Sequence, residues 1–173
     1  MKKVVLLWVF VMAICTVNAQ KFRGLDKSPL DAVAYPVSYK NADKIVKVVY
    51  SRPQLKGRSV ESLAKPGSVW RTGANEATEI TFFKEVKVAG TKVQPGTYSL
   101  FTIPGSTSWT VILNKDTNVW GAYSYNQEHD VLRVEAVASK NEENVEAFSM
   151  AFDDDMNLYM AWGTTLVKLP MSK

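Results

Sequence analysis

From Lys44 to the C-terminus the sequence alternates between apolar and polar residues at a period of two. It is punctuated by short turn signals and has no convincing helical stretch of ten residues. Such alternation buries one face of a strand and leaves the other wet, the pattern of antiparallel sheets. Ile45–Tyr50 and Glu79–Phe83 are β-branched and aromatic runs. Val86–Val88 and Val93 flank Ala89-Gly90-Thr91, a glycine-bearing hairpin turn. Tyr98–Ile103 and Trp109–Leu113 are separated by Pro104-Gly105-Ser106. Leu132, Val134 and Ala136 share a face, as do Phe148, Met150 and Phe152, and then Leu158, Met160 and Trp162. Asp153-Asp154-Asp155 and Gly163-Thr164 read as reversals between these last segments. The best helical candidate is Val60–Ala64, with Ser59 as N-cap.

Eight or nine short strands predict an all-β fold, a single antiparallel β-sandwich of Greek-key or jelly-roll type. Val93-Gln94-Pro95-Gly96-Thr97-Tyr98 supports that choice, because it places a tyrosine after a Pro-Gly corner. In Greek-key sandwiches such a phenol bonds back to upstream backbone, so Tyr98 is read as structural. The expected division is a leader over 1–19, an N-terminal extension with a first edge strand over 20–43, and the sandwich over 44–173.

The leader reading rests on Lys2-Lys3, the apolar run Val4–Cys15, and small residues at Val17 and Ala19. The run is too short to span a bilayer, and the order is that of a signal peptide cleaved after Ala19. Ile14 before Cys15 disfavours acylation of that cysteine, which cleavage would discard. An exported, periplasmic or secreted protein without cysteine follows, its stability supplied by its core. Without Lys2 and Lys3 the chain has 19 basic and 17 acidic residues, a net charge of +2. With no clustered basic stripe, nucleic acid is not an expected partner. No second apolar run is long enough to span a membrane.

Two segments break the strand rhythm, about Pro53–Thr78 and about Asn114–Asp130. Both exceed the roughly 12–15 residues beyond which loops are usually functional or disordered, and their aromatic content opposes disorder. The first holds Arg58, Trp70, Arg71, Asn75 and Glu76, with Arg52 just before it. Guanidinium forks read carboxylates or phosphates, and an indole offers a face to a sugar or a cation. Thr72-Gly73-Ala74 would let backbone approach a ligand closely. These residues form the expected binding surface. The alternative is that Arg71 and Glu76 pair and pin the loop.

In the second segment Trp120 is expected to join a satellite core. His129 is the single histidine, and no G-x-S-x-G turn accompanies it, so a Ser-His-Asp triad with Asp130 is disfavoured. One histidine cannot build an ordinary zinc site. Asp153, Asp155 and Asn157 begin like a calcium loop, but Leu158 and Thr164 occupy the glycine and glutamate positions. Glu76 and Glu79 are the carboxylates available for glycoside hydrolysis, with nothing to set their separation. No nucleotide fingerprint occurs, and no metal or cofactor is expected.

The strings VYSRPQLKGR (Val49–Arg58), VWRTGANEATEITF (Val69–Phe82), PGTYSLFTIPG (Pro95–Gly105), WTVILNKDTNVWGAY (Trp109–Tyr123) and DVLRV (Asp130–Val134) occur in this order. Together with the ending Trp162–Val167, they resemble the domain-of-unknown-function family twenty-nine-eleven. The resemblance implies an exported bacterial β-rich domain and no established activity. Lys65-Pro66-Gly67-Ser68 departs from it by a shortened approach to the tryptophan.

The leading expectation is a binding module for a polar or anionic small ligand or a glycan, not an enzyme. A hydrolase of envelope or dietary polymers and a structural envelope protein that binds another protein are the alternatives. The exported protein is expected to begin at Gln20. Intact-mass measurement checks this, and a mass that retains residues 1–19 or a lipid on Cys15 counts against it.

Overall fold

A computed structural model describes residues 22–173. The leader expected over 1–19 lies outside the described residues. The alternating segments form strands β1 (Leu30–Tyr35), β2 (Val46–Ser51), β3 (Thr78–Phe82), β4 (Val86–Val88), β5 (Thr91–Val93), β6 (Gly96–Ile103), β7 (Ser108–Asn114), β8 (Asp130–Phe152), β9 (Leu158–Leu169) and β10 (Met171–Ser172). The helical candidate is the single turn α1 (Val60–Leu63), where the Ser59 hydroxyl accepts the Ser62 N–H at 3.2 Å. Among the described residues no helix is long and apolar enough to cross a membrane.

The fold is mostly β and all its pairings are antiparallel, but it is not the expected sandwich. Seven strands form one strongly curled half-barrel sheet in the order β1-β2-β3-β6-β7-β8-β9, and β10-β4-β5 form a small second sheet. Apart from the β4–β5 excursion, neighbours in the large sheet are consecutive in the chain, so it has no Greek-key crossover. The departure originates in the C-terminal third. Val131–Ala138 and Val145–Phe152 belong to one strand, β8, and the expected reversal at Gly163-Thr164 is a bend inside β9. Gly163 has φ +57°, and opposite it the register shifts between Lys140 and Val145. Extra residues on one strand facing a left-handed glycine on the other bend a ribbon without ending it.

That bend lets one ribbon serve two parts of the sheet. The first half of β8 pairs with β7, with Leu113 opposite Leu132. The second half turns toward the opposite edge, where Gln54 forms a bridge with Ala147. There Leu55 N–H donates to the Glu146 carbonyl at 3.0 Å and Phe148 N–H to the Pro53 carbonyl at 2.9 Å. The curl encloses the main core of Val48, Ile80, Leu100, Val111, Met160 and Trp162 with their neighbours.

In the β4–β5 hairpin Ala89 and Gly90 both have positive φ, the geometry of a two-residue primed turn. β10 pairs with β4 and places Met171 in the core beside Val86, Val88 and Val93. The Tyr98 phenol donates to the Gln94 carbonyl at 3.1 Å, and its ring packs on Phe82 at 6.1 Å. The back-bond expected of a tyrosine corner is therefore present, at a different junction: it braces the step from the small sheet to the large one. The Asp153 turn closes on itself, with Asn157 donating to both Asp153 carboxylate oxygens at 2.8 and 2.7 Å.

Tyr98→Phe removes this one bond and no ring contact. A loss of about 0.5–1.5 kcal/mol is expected in denaturant unfolding. An unchanged midpoint would show that the corner does not depend on the phenol.

Candidate functional site

The first segment outside the strand rhythm is built mostly from tertiary hydrogen bonds. Residues 53–55 line up against β8, as described above. Trp70 then exchanges backbone bonds with Thr102, N–H to carbonyl at 2.7 Å and 2.9 Å in return. It takes up the edge of β6 that β3 leaves vacant beyond Thr78, which pairs with Leu100. Between Trp70 and β3 the chain makes a tight excursion. The Thr78 hydroxyl donates to the Thr72 carbonyl at 2.7 Å, the Thr72 hydroxyl reaches that of Thr102 at 3.1 Å, and Thr72 and Asn75 adopt positive φ. A Cβ on Gly73 would lie 3.0 Å from the Ser51 carbonyl. The close approach that glycine permits is thus to β2, and not to a ligand as the sequence suggested.

This geometry separates the six expected site residues. Trp70 is 7% exposed and belongs to the core. Its indole stacks on Trp162 at 5.4 Å with an interplanar angle of 10°, and meets Trp109 and Phe148 edge-on. Arg52 bonds Asp31 at 3.1 Å, the Phe148 carbonyl at 3.1 Å and the Ser149 hydroxyl at 2.7 Å, so it fastens the junction of β1, β2 and β8. Arg58 donates to the Leu55 and Gln54 carbonyls, both at 2.9 Å, and holds its own turn. Arg71 donates to the Asn75 carbonyl at 3.3 Å. Among the described residues it forms no ion pair with Glu76. Asn75 and Glu76 line a cavity that the other four do not reach.

The second segment folds over the outer face of the sheet. Val119, Ala122 and Tyr125 pack on Phe101, Ile112 and Ala77 as a satellite cluster. Trp120, expected in that cluster, is 55% exposed instead. The loop is pinned by a polar network. Tyr125 donates to Asp130 at 2.7 Å, Asn114 donates to Asp130 at 2.9 Å, and Arg133 donates to the Tyr125 oxygen at 2.8 Å. Burial, followed by the Asp130 carboxylate, pushes the Tyr125 phenol up to about 12. His129 Nδ1 lies 2.6 Å from Asp116, not from Asp130, and no serine hydroxyl bonds it among the described residues.

The two loops meet edge to edge. Ala77 N–H donates to the Val119 carbonyl at 3.0 Å, Gly121 N–H to the Asn75 carbonyl at 2.9 Å, and Glu76 forms a bridge with Trp120. Beside this seam is a cavity of about 410 Å³ on the outer face of β2 and β3, floored by Val49, Ser51 and Glu79. That volume falls within the roughly 300–1,000 Å³ of small-molecule sites. Asn75, Glu76, Asn118 and Trp120 form one side, and the N-terminal arm with Arg23, Asp26 and Ser28 forms the other. Glu79 accepts the Asn118 N–H at 2.7 Å. The Ser28 N–H, and then the Asn75 side chain, hold the Asp26 carboxyl below its usual range.

Ser51 is 4% exposed and lines the cavity, and its hydroxyl has no hydrogen-bond partner among the described residues. Among the described residues no fully buried side-chain polar atom lacks a partner. A second depression of about 520 Å³ lies at the ribbon bend. Arg58 is engaged as above, and Glu146 accepts the Lys56 N–H at 2.7 Å. Among the described residues no three His, Cys, Asp or Glu side chains are grouped to hold a metal ion.

Ser51, Asn118 and the arm residues were not singled out from sequence. Only the alternation that sends Ser51 and Glu79 to the outer face could have indicated them. A family model described as a protein of unknown function, DUF2911, matches residues 28–171. Comparison with curated proteins and with solved structures returns no match.

Trp70→Ala is expected to lower stability by about 3–5 kcal/mol, the cost of deleting a core aromatic. Arg71→Ala and Glu76→Gln should add in stability to within about 0.5 kcal/mol, because among the described residues no ion pair or hydrogen bond joins the two side chains. Denaturant unfolding of the singles and the double checks both. Clear coupling would restore the Arg71–Glu76 pin.

Proposed function

The chain belongs to the DUF2911 family, a family of unknown function, so its own geometry must carry the functional reading, and we propose that it is an exported domain that binds a small polar ligand, a saccharide unit, in the outer-face cavity. The observation that carries this reading is the convergence of both long loops, β2, β3 and the N-terminal arm on one concavity with a half-exposed tryptophan. Pockets of this kind combine apolar walls with a few convergent polar groups. Trp120, Val49 and Leu30 supply apolar surface, while Ser51, Asn75, Glu76 and Glu79 supply hydrogen-bonding groups around it. A sugar ring has the complementary character, an apolar face and a polar edge. Export rests on the leader read from sequence.

One observation favours a second reading. Glu76 and Glu79 line the same cavity, and hydrolysis of a glycosidic bond needs two carboxylates on one site. Turnover separates the two readings, because a binding domain releases its saccharide unchanged.

Thermal unfolding against a saccharide panel tests the proposal. A ligand at a hundred times its dissociation constant stabilises by about 2.7 kcal/mol. Trp120→Ala should weaken binding by about 2 kcal/mol, the scale of an aromatic anchor, and leave the unliganded midpoint nearly unchanged because the side chain is half exposed. Binding that is indifferent to Trp120 would remove the site. Release of product, lost in Glu76→Gln and Glu79→Gln, would replace the binding module by the hydrolase.

A further inference from the structure

We infer that this cavity selects a ligand bearing an ammonium group, an amino sugar in preference to its N-acetylated or acidic counterpart; the inference rests on the saccharide reading of the same site. The lining carries three carboxyl side chains, Asp26, Glu76 and Glu79, and one cation, Arg23. Arg23 and Asp26 belong to the same stretch of arm, where the Ser28 N–H, then the Asn75 side chain, and less strongly the Arg23 guanidinium hold the Asp26 carboxyl below its usual range. Glu76 and Glu79 remain without a cationic partner among the described residues. They border a cavity whose apolar lining is Trp120, Val49 and Leu30.

Of the three carboxylates lining the cavity, Glu79 is partly buried, and Asp26 and Glu76 are exposed. Glu79 projects from a core strand, in register with Val49 of β2, and the Asn118 N–H bonds one of its oxygens. The backbone of Glu76 is held by its bridge to Trp120. Ser51, a buried residue whose hydroxyl has no hydrogen-bond partner among the described residues, lines the same cavity and offers a further acceptor. An ammonium group donates in three directions and accepts in none, so carboxylates and a hydroxyl oxygen suit it. The neighbouring indole adds attraction for a cation over its face. The acidic groups are spread around the cavity and not gathered into a metal cage. Their charge therefore matches the dimensions of an organic cation. A ligand carboxylate or phosphate would meet like charge with only the exposed Arg23 to offset it.

Calorimetric titration of the chain with glucosamine, N-acetylglucosamine, glucuronate and tyramine tests this. Glucosamine is expected to bind at least about tenfold more tightly than N-acetylglucosamine, equivalent to ~1.4 kcal/mol. The preference should shrink at high ionic strength and vanish in Glu76→Gln/Glu79→Gln. Glutamine at 79 keeps an oxygen for the Asn118 N–H, and circular dichroism with a melting curve verifies that the double variant folds. If the three sugars bind equally, or glucuronate binds best, and Trp120→Ala still abolishes binding, the ammonium inference is overturned and the saccharide reading survives. If no sugar binds but tyramine does, in a manner lost with the two glutamates, the saccharide reading falls and the amino sugar with it, and the cavity is a site for an ammonium group on another scaffold. Absence of any binding that depends on Trp120 or the two glutamates overturns both.

Discussion

Trp70 organises the interior of the curled sheet and the outer-face cavity at once. Its indole lies flat on Trp162 and edge-on to Trp109 and Phe148, so a single side chain bridges β7, β8 and β9. Its backbone occupies the position beside Thr102 that β3 does not reach. Aromatic rings bury large areas in a preferred geometry, and stacked or edge-on pairs add to simple area burial. With Trp70 anchored, the chain has only a few residues in which to return to Thr78. The positive φ angles at Thr72 and Asn75 are the conformation that this short return imposes. The excursion projects Asn75 and Glu76 outward beside Trp120, and the site wall is thus a consequence of the core.

A second constraint closes the curl. A ribbon as long as β8 and β9 cannot remain straight against a strongly twisted sheet, and the bend near Gly163 and Val145 divides it. Residues 53–55 then find the far half of β8. The seam is held by backbone bonds, by Arg52 and by the Tyr50 phenol, which accepts the Met150 N–H at 2.9 Å. These contacts join residues about a hundred positions apart, and they make the first long segment part of the barrel wall.

The elements were largely legible. Alternation located the strands, the Ala89-Gly90 turn and the Ser59 cap because each is a local preference of a few adjacent residues. Gly163-Thr164 has the composition of a reversal, yet the opposite strand decides whether a left-handed glycine reverses or merely bends a chain. The string from Trp70 to Glu76 was read as one surface because its residues are neighbours in sequence. The structure sends Trp70 into the core, turns Arg71 back onto its own loop and leaves Asn75 and Glu76 at the cavity. Trp120 was misplaced in the converse way. An aromatic in a loop is read as buried by default, and here Val119, Ala122 and Tyr125 had already covered Phe101 and Ile112.

By itself, the sequence determined the antiparallel β class, the family, most of the strand segments and the two segments that leave the strand rhythm, since these depend on periodicity, turn chemistry and ordered motifs along the chain. Only the tertiary structure decided that the sheet curls instead of pairing face to face with a second one, and which polar side chains share a space. Ser51, Asn75, Glu79, Asn118 and Asp26 come from distant parts of the chain and are brought to one cavity by sheet register and loop docking. Register is a property of paired strands, and no single strand encodes which residue of another will stand opposite its own.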